Sequence, residues 1–319
     1  MRKILLIAVT GMISICGFSQ KNKKDVPDFG KIEKADLEMK ECAFDPKANA
    51  MILFDVGELS CVLGSNSAEV YLERRVRIKI LKEKGRDVAD VKIPYLSYSK
   101  QQSIDNLTAQ TYNLDASGNI VVTKVDGKLI YDKPINKRYS EKIFTFPDVK
   151  PGSILEYKYK KRGMGLLTWY FQRSYPVLYS RYRVDFPQEL EVFTKPYVSL
   201  DLKREKDDQG TRVVETFSME KVPALRDEAY ILNEEDYMER VESQLIAVGT
   251  GINRTSLIRQ WPNVIKDLME DEDFGTQLKK DIPRTSDLDA LLKGKSDPYD
   301  KMVIIHNYVK NNMKWNGYD

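Results

Sequence analysis

Few residues in this chain of 319 are of a type that does covalent chemistry, and their positions limit what that chemistry could be. There are three cysteines, Cys16, Cys42 and Cys61, and one histidine, His306. A thiol nucleophile needs a lowered pKa and a base beside it, usually an imidazole oriented by a carboxylate. His306 is remote in sequence from every cysteine and stands between Ile305 and Asn307, so it reads as a partly buried side chain rather than a base. A lone imidazole also rules out a His-rich metal site within one chain. No glycine-rich phosphate loop, zinc-spaced cysteine pair or His-Glu-x-x-His segment is present. The acidic runs "NEEDYMERVE" and "MEDEDFG" lack the spacing of a calcium loop and read as solvated helix starts. The expectation is therefore no catalytic residue, no metal and no cofactor.

The one cluster suited to recognition is "LLTWYFQRSYPVLYSRY", in which Trp169, Tyr170, Arg173 and Tyr175 mix aromatic rings with a guanidinium. Such a mixture can stack a sugar or cup a peptide. The competing reading is ordinary strand patterning, since aromatics are enriched in strands. Cys42 and Cys61 are either a disulfide, worth about 3 kcal/mol on the chain-entropy model, or two separate buried thiols.

The elements that must carry these residues divide the chain in two. From about Ala68 to Met219 the pattern alternates between turn signals. "EVYLERRVRIKIL" puts Val70, Leu72, Arg74, Val76, Ile78 and Ile80 on one face. Arg74 falls on that apolar register, which predicts a buried ion pair, with Glu156 as partner. Asp126-Gly127 and Pro151-Gly152 are hairpin signals. Strands at this density predict a mainly β fold, a large two-sheet antiparallel β-sandwich over 40–225. "NEEDYMERVESQLIAVG" fits a helical stripe or a strand face, within a connecting segment at 226–260. Helical signs follow over 261–319: Pro262 in a first turn, Ser286 opening "SDLDALLKG", and Asp297 capping a helix with Pro298 in its first turn.

Both ends carry further signals. "MRKILLIAVTGMISICGFSQ" has Arg2 and Lys3, an apolar run and small residues before Gln20, the pattern of a signal peptide over 1–19. Its run is too short for a transmembrane anchor, so the protein is expected to be exported, periplasmic or secreted. The run "KNKKD" behind the cleavage site reads as a solvated tail, at the head of an N-terminal tail over 20–39. Of 51 Lys and Arg two lie in the leader, leaving near balance with 48 Asp and Glu, which argues against a nucleic-acid partner.

"AFDPKANAMILFDVG", "ERRVRIKILKEKGRDVADVKIPY", "TAQTYNLDASGNIV", "FTFPDVKPGSILEYKY" and "FQRSYPVLYSRY", in that order, resemble the uncharacterised β-sandwich domain that precedes transglutaminase-like cores in exported bacterial proteins. The stretch "DPYDKMVIIHNYVKNNMKWNGY" in turn resembles the lead-in helix of such a core, a papain-like α+β domain. The resemblance implies a Cys, His and Asp downstream of that helix, so the helical segment is expected to be the truncated start of a transglutaminase-like domain. It implies two functions. One is a non-catalytic module that binds a glycan, a peptide or its own C-terminal domain. The other is the N-terminal part of a thiol enzyme acting on amide bonds, with its machinery beyond residue 319.

Overall fold

A computed structural model describes residues 25–64, 68–163, 168–226, 233–280 and 285–314. The leader expected at 1–19, the run at 20–24 and the Asn-Gly end of the chain lie outside them. The strands are β1 (Ala50–Leu63), β2 (Ala68–Ile80), β3 (Asp90–Leu96), β4 (Gln102–Leu114), β5 (Ile120–Lys124), β6 (Tyr131–Pro134), β7 (Tyr139–Thr145), β8 (Ile154–Gly163), β9 (Trp169–Tyr170), β10 (Val177–Pro187), β11 (Leu190–Tyr197), β12 (Lys203–Asp208), β13 (Arg212–Val222), β14 (Arg240–Val248) and β15 (Thr255–Ser256). The α-helices are α1 (Lys34–Glu38), α2 (Trp261–Glu270), α3 (Ser286–Leu292) and α4 (Pro298–Asn312).

The protein is mainly β, and the described residues form three sheets rather than two. The largest has eight strands in the order β12-β13-β10-β1-β2-β8-β4-β5. A second contains β11, β14 and β15 with β9 paired to β14, and a third runs β3-β7-β6. The antiparallel expectation fails at the centre of the large sheet, where β1 and β10 run parallel with Glu58 opposite Arg183. No hairpin joins these two strands; everything from β2 to β9 intervenes, which is what a parallel pairing requires. The ambiguous stretch before Val248 is strand β14, held against β11 from Tyr197↔Arg240 to Leu190↔Val248.

Alternation on β2 sorts its residues as expected on one side. Leu72, Val76, Ile78 and Ile80 enter one core together with Val91, Ile93, Phe144, Trp169 and Val241 from the two smaller sheets. The other side of β2 is covered as well. Arg77 and Lys79 are 1% and 0% exposed, because the N-terminal segment covers them. Leu37, Cys42 and Ala48 form a second core with Met51, Leu53, Phe54 and Val56 of β1, and Val26, Ile32 and Met39 pack against it. The N-terminal tail is, from Val26 onward, a strap over the sheet. A register shift in β1 between Ile52 and Phe54 explains how Ile52 and Leu59, of opposite parity, reach the same core.

The chain forms two compact units, Met1–Leu257 and Ile258–Asp319. In the second, Pro262 lies in the first turn of α2, and Asp297 caps α4 by accepting the Tyr299 N–H at 3.2 Å. The cap of α3 is Thr285, one residue before the Ser286 expected, with Oγ1 accepting the Leu288 N–H at 3.2 Å. Among the described residues no helix is long and apolar enough to cross a membrane.

Candidate functional site

Two charged clusters, on opposite faces of the large sheet, centre on its buried carboxylates Asp55 and Glu156. On the face toward the smaller sheets, Asp55 receives Arg74 through two bonds, Nε to Oδ1 at 2.8 Å and Nη2 to Oδ2 at 2.6 Å. Arg173 adds bonds to Oδ2 at 3.3 and 3.1 Å. Burial alone would raise the Asp55 carboxyl, but the two guanidinium groups outweigh it and hold the pKa below its ordinary value. Arg74 is thus in an ion pair, half-buried at the guanidinium and buried at the carboxylate, and its partner is Asp55 and not the Glu156 expected. The reason is parity: Glu156 stands opposite Arg77 in the β2/β8 register, whereas Arg74 stands opposite Tyr159.

Glu156, fully buried, organises the strap face. Its Oε1 accepts Arg75 Nε at 2.8 Å, Arg75 Nη2 at 2.6 Å and Arg77 Nη2 at 3.0 Å. Its Oε2 accepts the Tyr112 hydroxyl at 2.9 Å and the Gly30 backbone N–H at 3.0 Å. The cations alternating along β2 then hold the strap by its main chain. Arg75 donates to the Pro27 carbonyl, Arg77 to Lys31 O at 2.9 Å and Lys79 to Leu37 O at 2.6 Å. Burial pulls the Lys79 ammonium down to about 8, with Lys40 adding to the effect. The sequence reading did not single out this ladder; its trace was the spacing of Arg75, Arg77 and Lys79 at every second residue.

The residues singled out for binding do not form a shared surface. Trp169 is 3% exposed, stacked on Tyr182 at 5.2 Å between centroids, with the Arg74 guanidinium 5.2 Å from its ring and Nε1 donating to Ser180 Oγ at 3.1 Å. Its ring lies over Gly57, the residue directly opposite both Arg74 and Tyr182. A ring sealed this way has no face for a sugar. Arg173 is engaged by Asp55, the Tyr170 hydroxyl donates to Glu235 at 2.9 Å, and the Tyr175 hydroxyl donates to Asp87 at 2.6 Å. Of the two readings of Cys42 and Cys61, the structure has the second: both are free, buried thiols. They belong to separate cores on opposite faces of the sheet, so their side chains cannot meet. Burial pushes the Cys61 thiol up, away from reactivity.

Room for a ligand exists elsewhere. A cavity of about 300 Å³ opens over β1, β2, β8, β4 and β10, lined by Arg75, Lys158, Lys160 and Arg181 with Glu58, Glu73 and Asn106. Several of its charges are matched already: Arg181 with Asp25 at 2.8 Å, Lys160 with Glu73 at 3.4 Å, and Glu58 with Arg183 at 2.6 Å. Lys158 and Asn106 are exposed. The Lys158 ammonium rests 4.9 Å from the Phe29 ring. Asn106 sits in a bulge of β4 with φ 53°, a left-handed conformation that turns one residue out of the ladder. Polar groups of both signs converging on a concave floor can bind a polar ligand through hydrogen bonds. No group of His, Cys, Asp and Glu suited to a metal occurs among the described residues.

Comparison with known proteins bears on this arrangement. A crystal structure from Parabacteroides distasonis, provisionally named a protease, superposes with a TM-score of 0.57 at 13% identity, covering 83% of this chain and 50% of that one. The chain thus spans half the length of that neighbour, and the likeness is one of fold. An M1 zinc metallopeptidase from Deinococcus radiodurans matches at 11% identity over 66% of this chain and 48% of that one, with a TM-score of 0.31. A search of curated proteins finds no match. A family model described as "Domain of Unknown Function with solved-structure structure (DUF3857)" matches residues 66–226, from the start of β2 to just past β13. With half of its length matched, the chain belongs to the DUF3857 family.

Proposed function

We propose that the first unit is an exported, non-catalytic β-sandwich module that binds a glycan or peptide in the cavity around Lys158 and Asn106, joined to the start of a transglutaminase-like domain. The observation that carries this reading is the sealing of both described thiols, Cys42 and Cys61 at 0% exposure, in a unit without a histidine. Acyl transfer by a thiol has neither nucleophile nor base there. The test is a glycan and peptide array probed with the full chain and with Lys158→Glu. Retention of one ligand class by the wild type and its loss in the variant is the expected result. Silence across the array would remove the binding claim, and turnover of an amide substrate by this chain would remove the non-catalytic one.

A second reading, the N-terminal part of a thiol enzyme, is favoured by a different observation. In the helical unit Met302, Ile305, Val309 and Leu278 are 59%, 40%, 40% and 79% exposed, so its helices present apolar faces that a larger domain would cover. On this reading amide chemistry belongs to a longer protein, and the β unit positions the domain that performs it. Hydrolysis or transamidation by such a longer polypeptide, abolished by replacing a cysteine outside residues 1–319, is the outcome that would favour it.

A further inference from the structure

The edges of the three sheets are not equivalent. An unpaired edge invites another strand, and folded proteins blunt it with charges, proline or brevity. β12, at one end of the eight-stranded sheet, reads KREKDD and is exposed throughout. Pro196 interrupts β11, Pro94 lies within β3, and β6 carries Asp132, Lys133 and Pro134. β5, the other end of the large sheet, reads IVVTK. Ile120, Val121 and Val122 are 39%, 46% and 46% exposed, and the only charge is Lys124 at the end.

The backbone of β5 is set to receive a partner. The Val125 N–H donates to Ala109 O at 2.9 Å and the Asp115 N–H to Asn119 O at 3.0 Å. Antiparallel bonding alternates, so Val121 and Thr123 also face β4. The N–H and C=O groups of Ile120, Val122 and Lys124 therefore point outward, and no described strand pairs with them.

We propose that β5 is a self-pairing edge, to which a second copy of this chain adds its own β5 antiparallel about a two-fold axis through Val122. The strand complements itself in that register. Val122 meets its own copy, Val121 faces Thr123, Ile120 faces the aliphatic stem of Lys124, and no like charges stand opposite one another. About six interchain hydrogen bonds form across the axis, joining two eight-stranded sheets. A strongly charged partner finds only Lys124 to pair with, which favours a second copy. This inference is independent of the cavity and its ligand.

The test uses the full chain in sedimentation equilibrium across the micromolar range. Val122→Pro deletes an outward N–H without removing a β4–β5 bond, so it is expected to halve the sedimenting mass and leave the urea midpoint in place. Val122→Cys, on oxidation, is expected to form a covalent dimer. Val121→Cys is expected not to, because those Cα atoms lie beyond disulfide reach in this register. Should Val122→Pro fold poorly, the cysteine pair still decides. A monomeric wild type, a dimer that survives Val122→Pro, or equal cross-linking at 121 and 122 would overturn the proposal. A monomer whose Val122 amide resists exchange would overturn it too, since another segment would then cover the edge.

Discussion

Adding one methyl group at Gly57 tests whether Trp169 belongs to the core or to a binding surface. A Cβ built there falls within contact distance of the indole, with Cη2 at 2.6 Å and Cε3 at 3.1 Å. The ring cannot swing away freely: Tyr182 stacks on it, Arg74 flanks it, and Ser180 accepts its Nε1–H. Overpacking of a filled core costs about 1–3 kcal/mol, and losing the indole hydrogen bond adds about 1 kcal/mol. We therefore expect Gly57→Ala to destabilise by about 3 kcal/mol. Trp169→Ala alone should cost about 3–5 kcal/mol through the cavity it leaves. Combined, the two should not add, because the methyl group then enters vacated space; a coupling of about 2–3 kcal/mol is the expected outcome. Urea unfolding of the four proteins, with m-values checked for constancy, supplies these numbers. Additivity within about 0.5 kcal/mol, or wild-type stability of Gly57→Ala, would refute the placement of Trp169 over β1.

Glu156→Ala leaves Arg75 and Arg77 without their shared carboxylate and should cost about 3–5 kcal/mol; faster proteolysis between Asp25 and Met39 would accompany it, and a loss below about 1 kcal/mol would contradict the hub role. Stability should also vary with pH in a defined way. Lys79, and Lys161 through burial and Arg74, are pulled down to about 8, so between about pH 8 and 10.5 the unfolded chain binds more protons and stability rises. Tyr170 and Tyr179 are pushed up to about 12, by burial first and then by Glu235 and Asp25 respectively. Above about pH 10 the unfolded chain therefore loses phenolic protons first and stability falls. Denaturant midpoints read across this range should peak between the two regimes, and Lys79→Met should flatten the rising limb.

Legibility followed the range of the interaction. Caps and first turns such as Asp297 and Pro262 involve neighbours in sequence, and composition alone marks them. One face of β2 was equally plain, because period two needs no knowledge of the partner strand. What covers the opposite face was hidden, since nothing in "ERRVRIKIL" says that a strap will arrive over Arg77 and Lys79. The partner of Arg74 was hidden for a related reason: pairing depends on inter-strand register, and a single residue of offset moves a side chain to the other face. The bulge in β1 is such an offset. For the aromatic cluster, sequence supplied the residue types but not their burial, and Trp169 proved to be interior while Lys158 and Asn106, beside the cavity, drew no notice.

The parallel seam between β1 and β10 joins residues 125 positions apart, as with Glu58 and Arg183. Loop closure over that distance precedes any reward from the pairing, which places this topology among slowly maturing ones. Until β10 docks, β1 presents a raw flank in mid-sheet, and a nascent or partly denatured molecule is most prone to wrong strand partners during that interval. Refolding yield should accordingly depend on protein concentration more steeply than native solubility would suggest.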